Sequence, residues 1–220
     1  EGAHVCDHEA SQGPPKLSPD GEGGAFIVWA DARNCDENDW DIFMQRINSD
    51  GEPHWGEPGD GVPLCTVEEE QRNPKIITSE PGSAIVVWED RRVNPNFDLY
   101  AMRVSGEDEI TFEWDAEGGV PVVTDDRNQT EDYICQDGNG GAYIVWAGED
   151  RPGFPDLNIY AQLLNIDGEV LWEENGIPVT NWSGLLFAPI VLPNLDEHIL
   201  VCWGDSITSS NQIIGQRLNL

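Results

Sequence analysis

Positive charge is scarce in this sequence: 11 Lys and Arg stand against 42 Asp and Glu in 220 residues, a formal net charge of −31. That balance excludes nucleic acid as a partner, because phosphate backbones are held by a basic footprint. It equally excludes docking on an anionic membrane surface. Long apolar runs are missing too. The longest, such as Ala25-Phe26-Ile27-Val28-Trp29-Ala30, fall far short of the ~20 residues a helical span needs, so no membrane insertion is expected. None of the five cysteines forms a Cys-x-x-Cys pair, which disfavours a zinc ribbon or a thioredoxin-type site. No stretch sustains a 3.6-residue apolar period, and 23 Gly and 15 Pro penalise helix interiors.

What is present is a repeat. Asp20-Gly21-Glu22-Gly23-Gly24-Ala25-Phe26-Ile27-Val28-Trp29 returns as Asp137-Gly138-Asn139-Gly140-Gly141-Ala142-Tyr143-Ile144-Val145-Trp146. Shorter copies end at Trp88 and Trp203, so the four tryptophans recur at intervals of 59, 58 and 57 residues. A second landmark follows each: Asp41 to Arg46, Asp98 to Arg103, Asn158 to Leu163 and Gln212 to Arg217. A third is another tryptophan, at Trp55, Trp114 and Trp172, then Gly-Val-Pro or Gly-Ile-Pro from Gly61, Gly119 and Gly176.

Each unit reads as four short strands. The Trp-ended run is apolar on both faces, as befits a strand sandwiched between neighbouring sheets. The strand after Gly-Val-Pro is outermost, where proline is tolerated. Four-stranded units repeated at this length are propeller blades. The expected fold is therefore all-β, a four-bladed β-propeller of four-stranded antiparallel blades in a single domain, 1–220. Its blades are 14–73, 74–131, 132–187, and 188–220 joined by 1–13. The opening Gly2-Ala3-His4-Val5-Cys6 aligns with Gly61-Val62-Pro63-Leu64-Cys65. It is expected to close the ring as the outer strand of the last blade, removing an exposed edge. Inserted into a neighbouring copy instead, the same strand would give head-to-tail assembly.

The residues that carry a family likeness are Trp29, Asp31, Arg33 and Asp41 to Arg46, with Trp88, Asp90, Arg92 and Asp98 to Arg103. These units resemble the repeats of secreted bacterial β-propeller proteins, similar in outline to TolB-like and sialidase-like propellers. The third unit departs from the pattern at Ala147 to Arg151, and the fourth lacks the Arg after Trp203. The resemblance implies a propeller and a secreted, extracellular or cell-surface location. A chain that begins at Glu1 without Met agrees with export. The likeness says little of activity, since propellers host many functions. The Ser-x-Asp-x-Gly-x-Thr-Trp box of sialidases is absent.

Candidate sites are few. Asp31, Asp90 and Asp205, with Arg33, Arg92 and Arg151 between them and the next strand, read as Asp–Arg ties across each loop, because an active site is built asymmetrically. Arg46, Arg103 and Arg217 fall in separate units and should not converge. Asp31, Asp36 and Asp39 are the candidate calcium ligands, in a loop without the Gly and Glu of an EF-hand. A solvated acidic loop is the plainer reading. His4, Cys6 and His8 alternate along one strand face, a spacing zinc accepts, although Cys6 is first a strand position. Cys6 and Cys35 are a candidate disulfide, with Cys35 and Cys65 as its rival. Asn128 and Asn181 begin N-glycosylation triplets. Trp40, Trp182 and Phe154, outside the repeat pattern, are the candidate partner contacts.

The function expected from these residues is a non-catalytic extracellular structural or interaction module, not an enzyme, requiring no cofactor. Its partner would be a second copy or another extracellular protein or glycan. A glycan-binding propeller and an extracellular glycoside hydrolase are the alternatives.

Overall fold

The computed structural model describes residues 4–34, 39–93, 95–114, 118–149, 157–181, 184–194, 198–206 and 211–219. Every regular element among them is a strand. The first sheet is β1 (Lys16–Pro19), β2 (Ala25–Asp31), β3 (Asp41–Ile47) and β4 (Val62–Cys65), in that spatial order. The second is β5 (Gln71–Glu80), β6 (Ser83–Asp90), β7 (Asp98–Ser105) and β8 (Thr111–Phe112), with β9 (Val120–Val123) also on β7. The third is β10 (Gln129–Gln136), β11 (Ala142–Glu149), β12 (Leu157–Leu164) and β13 (Ile177–Pro178). The fourth is β14 (Leu186–Asn194), β15 (His198–Asp205) and β16 (Gln212–Asn219). Neighbouring strands run antiparallel. The chain divides into two compact units, residues 1–92 with 100–120, and residues 93–99 with 121–220.

The first three Trp-ended runs are buried on both faces, β6 at every residue, while the fourth, in β15, leaves Leu200 exposed. In the second unit Val145, Ala147, Ile159 and Ala161 share one core with Leu186, Val191, Ile199, Val201 and Trp203. Burying each such aliphatic side chain contributes about 1.5–3 kcal/mol.

The aspartate that opens each Asp-Gly hairpin folds the turn itself. Asp20 Oδ1 accepts the backbone N–H groups of Glu22 and Gly24, both at 2.8 Å. Asp137 Oδ1 does the same for Asn139 at 2.7 Å and Gly141 at 2.8 Å. Arg46 also grips Asp20, through Nε at 3.0 Å and Nη2 at 2.9 Å. Leu163, opposite Tyr143, stands where Arg46 stands opposite Phe26.

The Gly of Gly-Val-Pro and the repeat tryptophan are partners. Gly61, Gly119 and Gly176 have φ of +69°, +87° and +83°, and a Cβ there would lie 2.4, 2.6 and 2.4 Å from the rings of Trp29, Trp88 and Trp146.

The strands β5, β10 and β14 begin at Gln71, Gln129 and Leu186. Each shifts register after its first two residues, and Asn73 (φ 51°) and Ala188 (φ 48°) supply the positive-φ kink in β5 and β14. Such a bulge lets a strand continue past an unpaired residue. One expectation is corrected: the described opening residues do not form the closing strand. Residues 4–10 contain no strand, and the fourth sheet has three strands among the described residues. Asp7 N–H instead donates to Gly59 O at 2.7 Å, within the first unit.

Gly119→Ala should destabilise the chain by about 2–4 kcal/mol, combining left-handed strain with overpacking against Trp88. Gly138→Ala, with φ +85° and open space around the added methyl, should cost only the strain, about 1 kcal/mol. Urea midpoints measure both, and equal losses would remove the Trp–Gly contact from the account.

Candidate functional site

Polar side chains near the strand ends fall into two classes, those that recur from sheet to sheet and those that do not. The recurrent class is a Trp–Asp–Arg–Cys unit. Asp31, at 0% exposure, accepts Trp29 Nε1 at 2.8 Å and Arg33 Nη2 at 2.7 Å on Oδ2, and Arg33 Nε at 3.0 Å on Oδ1. The Arg33 guanidinium lies 4.0 Å from the Phe43 ring centre and Nη2 is 3.2 Å from Cys6 Sγ. Asp90, Trp88, Arg92, Tyr100 and Cys65 repeat every contact: 2.8 Å to the indole, 2.9 Å to Nε, 3.9 Å to the ring and 3.2 Å to the thiol. The third sheet rebuilds it from other residues. Gly148 replaces the aspartate, and Gln129 Oε1 accepts Trp146 Nε1 at 2.7 Å. Arg127, paired with Asp125 at 2.9 Å, lies 5.0 Å from the Tyr160 ring centre. The second unit thus fills the arginine position from the loop before β10.

Burial pushes the Asp31 carboxyl up, but the hydrogen bonds from Arg33 and Trp29 outweigh it and hold Asp31 below the ordinary carboxylate range. Asp41 goes the other way. Burial raises it, the Asn34 amide at 2.7 Å only partly opposes this, and the charges of Asp31 and Asp39 raise it further. Burial pushes the Cys65 thiol up to about 11 and that of Cys135 to about 12.

The residues singled out in the sequence are placed as follows. Both carboxylate oxygens of Asp31 are committed to Arg33, with Trp29 sharing one, and Asp39 is exposed. Among the described residues no three His, Cys, Asp or Glu side chains converge as a metal site. Cys6 and Cys65 are free thiols. Cys35, Asp36, Arg151, Phe154 and Trp182 lie outside the described residues. Asn181 is exposed. Asn128 is half-buried, donating to Glu149 Oε1 at 3.0 Å and accepting Phe97 N–H at 3.1 Å. Trp40 holds a repeated backbone position: its carbonyl accepts Gln71 N–H at 2.7 Å, as that of Phe97 accepts Gln129 N–H at 2.8 Å.

The half-buried Trp40 lines a cleft of about 300 Å³ in the first unit, with Lys16, Glu70, Arg72, Asn73 and Lys75. Arg72 belongs to the second class, and the two lysines recur only between the first and second sheets. Arg72 pairs in register with Glu89, where the third sheet has Thr130 with Ala147 and the fourth Phe187 with Gly204. Arg72 Nε donates to Glu89 Oε2 at 2.8 Å. Glu70 lies 3.4 Å from Arg91 and 3.8 Å from Arg72. Sequence reasoning missed Glu70, Arg72 and the lysines. The available signal was that Lys16 and Lys75 are the chain's only lysines, on equivalent strands.

The two shifted aspartates give opposite pH effects. Asp31, depressed in the fold, contributes stability that is complete above 3.8, its unfolded value, and is lost as pH falls through its folded pKa. Asp41, raised above 3.8, costs stability as pH rises through that interval. Asp41→Asn keeps an acceptor for Asn34 and should raise the urea midpoint at pH 7 and leave it unchanged near pH 3. An equal effect at both pH values would contradict the burial argument.

No protein-family model and no curated protein sequence matches the chain. Solved structures do. An alpha-L-arabinofuranosidase from Lactobacillus brevis matches with a TM-score of 0.52 at 11% identity, covering 96% of this chain and 68% of its own. A levansucrase variant from B. megaterium matches at 0.55 and 8%, covering 97% and 68%. A thermostable family-43 glycoside hydrolase matches at 0.50 and 13%, covering 100% and 72%. These are propeller-type hydrolases, and the likeness supports the β-propeller fold. It also corrects the functional expectation of a non-catalytic structural module, since the solved structures that share the fold are an arabinofuranosidase, a levansucrase and a family-43 glycoside hydrolase.

Proposed function

We propose that this chain is an extracellular glycoside hydrolase built on a β-propeller, and that the cleft over Trp40 is its saccharide site. The observation that carries this is the asymmetry of the cleft. An aromatic, a carboxylate and cations meet in one place, while the register equivalents of Arg72 in the third and fourth sheets are Thr130 and Phe187, and those of Lys75 are Tyr133 and Ile190. Repeated residues serve the repeated fold, and a single unrepeated cluster has no such duty. The glycoside hydrolases with a similar fold support the reading. In the finer reading the four sheets are four blades.

Hydrolysis of a glycosidic bond takes two carboxyl groups flanking it. Glu70, at the cleft between Arg72 and Arg91, is one in this reading. Asp39, which is exposed and directly precedes Trp40 in the chain without itself lining the cleft, is the other. Trp40 offers an apolar face on which a sugar ring stacks, with polar groups around it to fix orientation.

The test is turnover on arabino-, fructo- and xylo-oligosaccharides. Glu70→Gln and Asp39→Asn should each lower kcat by about 10²–10⁴-fold with the unfolding midpoint unchanged. Trp40→Ala should raise KM more than it lowers kcat. Saccharide binding without product, or turnover indifferent to Glu70, would overturn the assignment.

A further inference from the structure

We propose that the cleft over Trp40 selects saccharides bearing a carboxylate, with Lys16, Lys75 and Arg72 as the groups that recognise it. The proposal rests on the saccharide reading of this cleft and names its substrate class.

The cleft's charge is opposite to that of the chain. Three cations and one carboxylate line it, in a molecule of formal charge −31. Both of the chain's lysines are among those cations.

The fold does not ask for lysine there. Lys16 lies opposite Val28 in β1–β2, and Lys75 lies opposite Val87 in β5–β6. The same rung holds Tyr133 opposite Val145 and Ile190 opposite Cys202. An aromatic or an aliphatic side chain satisfies the sheet equally, so the two lysines answer to something other than packing.

The third cation is held in place. Arg72 Nε is fixed by Glu89, whose side chain is 3% exposed, while the Arg72 side chain is 37% exposed. A guanidinium oriented from behind presents its planar fork at little further entropic cost, and that fork matches a carboxylate. Lys75 Nζ donates to Asn73 O at 2.9 Å, and Asn73 itself lines the cleft. The ammonium is thereby kept at the site by the kinked residue of β5.

The ligand class follows from charge and size together. A long polyanion would meet the strongly negative remainder of the chain. A short saccharide, whose anionic group sits within a cleft of about 300 Å³, meets the cations first. A planar carboxylate on a uronic acid ring places that charge beside the ring stacked on Trp40.

The experiment is titration calorimetry of the whole chain with a trigalacturonate, its carboxyl-reduced neutral counterpart and a sulfated trisaccharide. The uronate should bind about tenfold more tightly than the neutral sugar, as expected for hydrogen bonds to a charged group. Lys16→Met with Lys75→Met should abolish that preference, bringing the uronate and neutral affinities together, the unfolding midpoint serving as control. Equal affinity for uronate and neutral sugar would overturn the charge selection while leaving the saccharide site standing. Tighter binding of the sulfated sugar would overturn the carboxylate assignment. No binding of any of the three would remove the saccharide site, and this inference with it.

Discussion

A tryptophan ring packed against a glycine is the contact on which the first three sheets depend. The second strand ends in the indole, and the glycine before the outer strand leaves room for its six-membered ring. The ring nitrogen is buried and so needs an acceptor. In the first two sheets a buried aspartate supplies it, and that aspartate, being a buried charge, needs its own cation. Arg33 and Arg92 meet the requirement and cover an aromatic of the next strand. One packing decision therefore forces the glycine, the aspartate, the arginine and the aromatic in turn.

The third sheet shows which of those links is obligatory. It dispenses with the aspartate, yet the indole keeps an acceptor in Gln129 and the aromatic Tyr160 keeps an arginine in Arg127. The roles persist while the residues and their chain positions change. The requirement is physical, for a paired donor and a covered ring, and the familiar tripeptide is one solution to it.

Much of this was legible in the sequence. The tryptophan spacing located the sheets, the Asp-Gly turns located their hairpins, and the recurrence of Asp31 and Asp90 marked them as structural. Other parts could not be read there. Arg127 reaches the Tyr160 ring from a loop that no spacing rule connects to it. The kinks at Asn73 and Ala188 are equally hidden, because one unpaired residue leaves no trace in an apolar pattern. The opening segment bonds to Gly59, not as a strand, which its alignment with the Gly-Val-Pro segment did not foretell. At the cleft, Trp40 was legible as an aromatic near irregular chain. Glu70, Arg72 and Lys75 were hidden by the abundance of charge around them, and only the register shows that Arg72 has no charged counterpart in the third and fourth sheets.

Fold and function thus divide between repeated and unrepeated positions. A crystal structure of the chain with a bound oligosaccharide tests that division most directly. It should show a sugar ring on Trp40 with its polar groups toward Lys16, Lys75 and Glu70. A saccharide seated at the Asp31 or Asp90 loops, with the Trp40 cleft empty, would contradict the account.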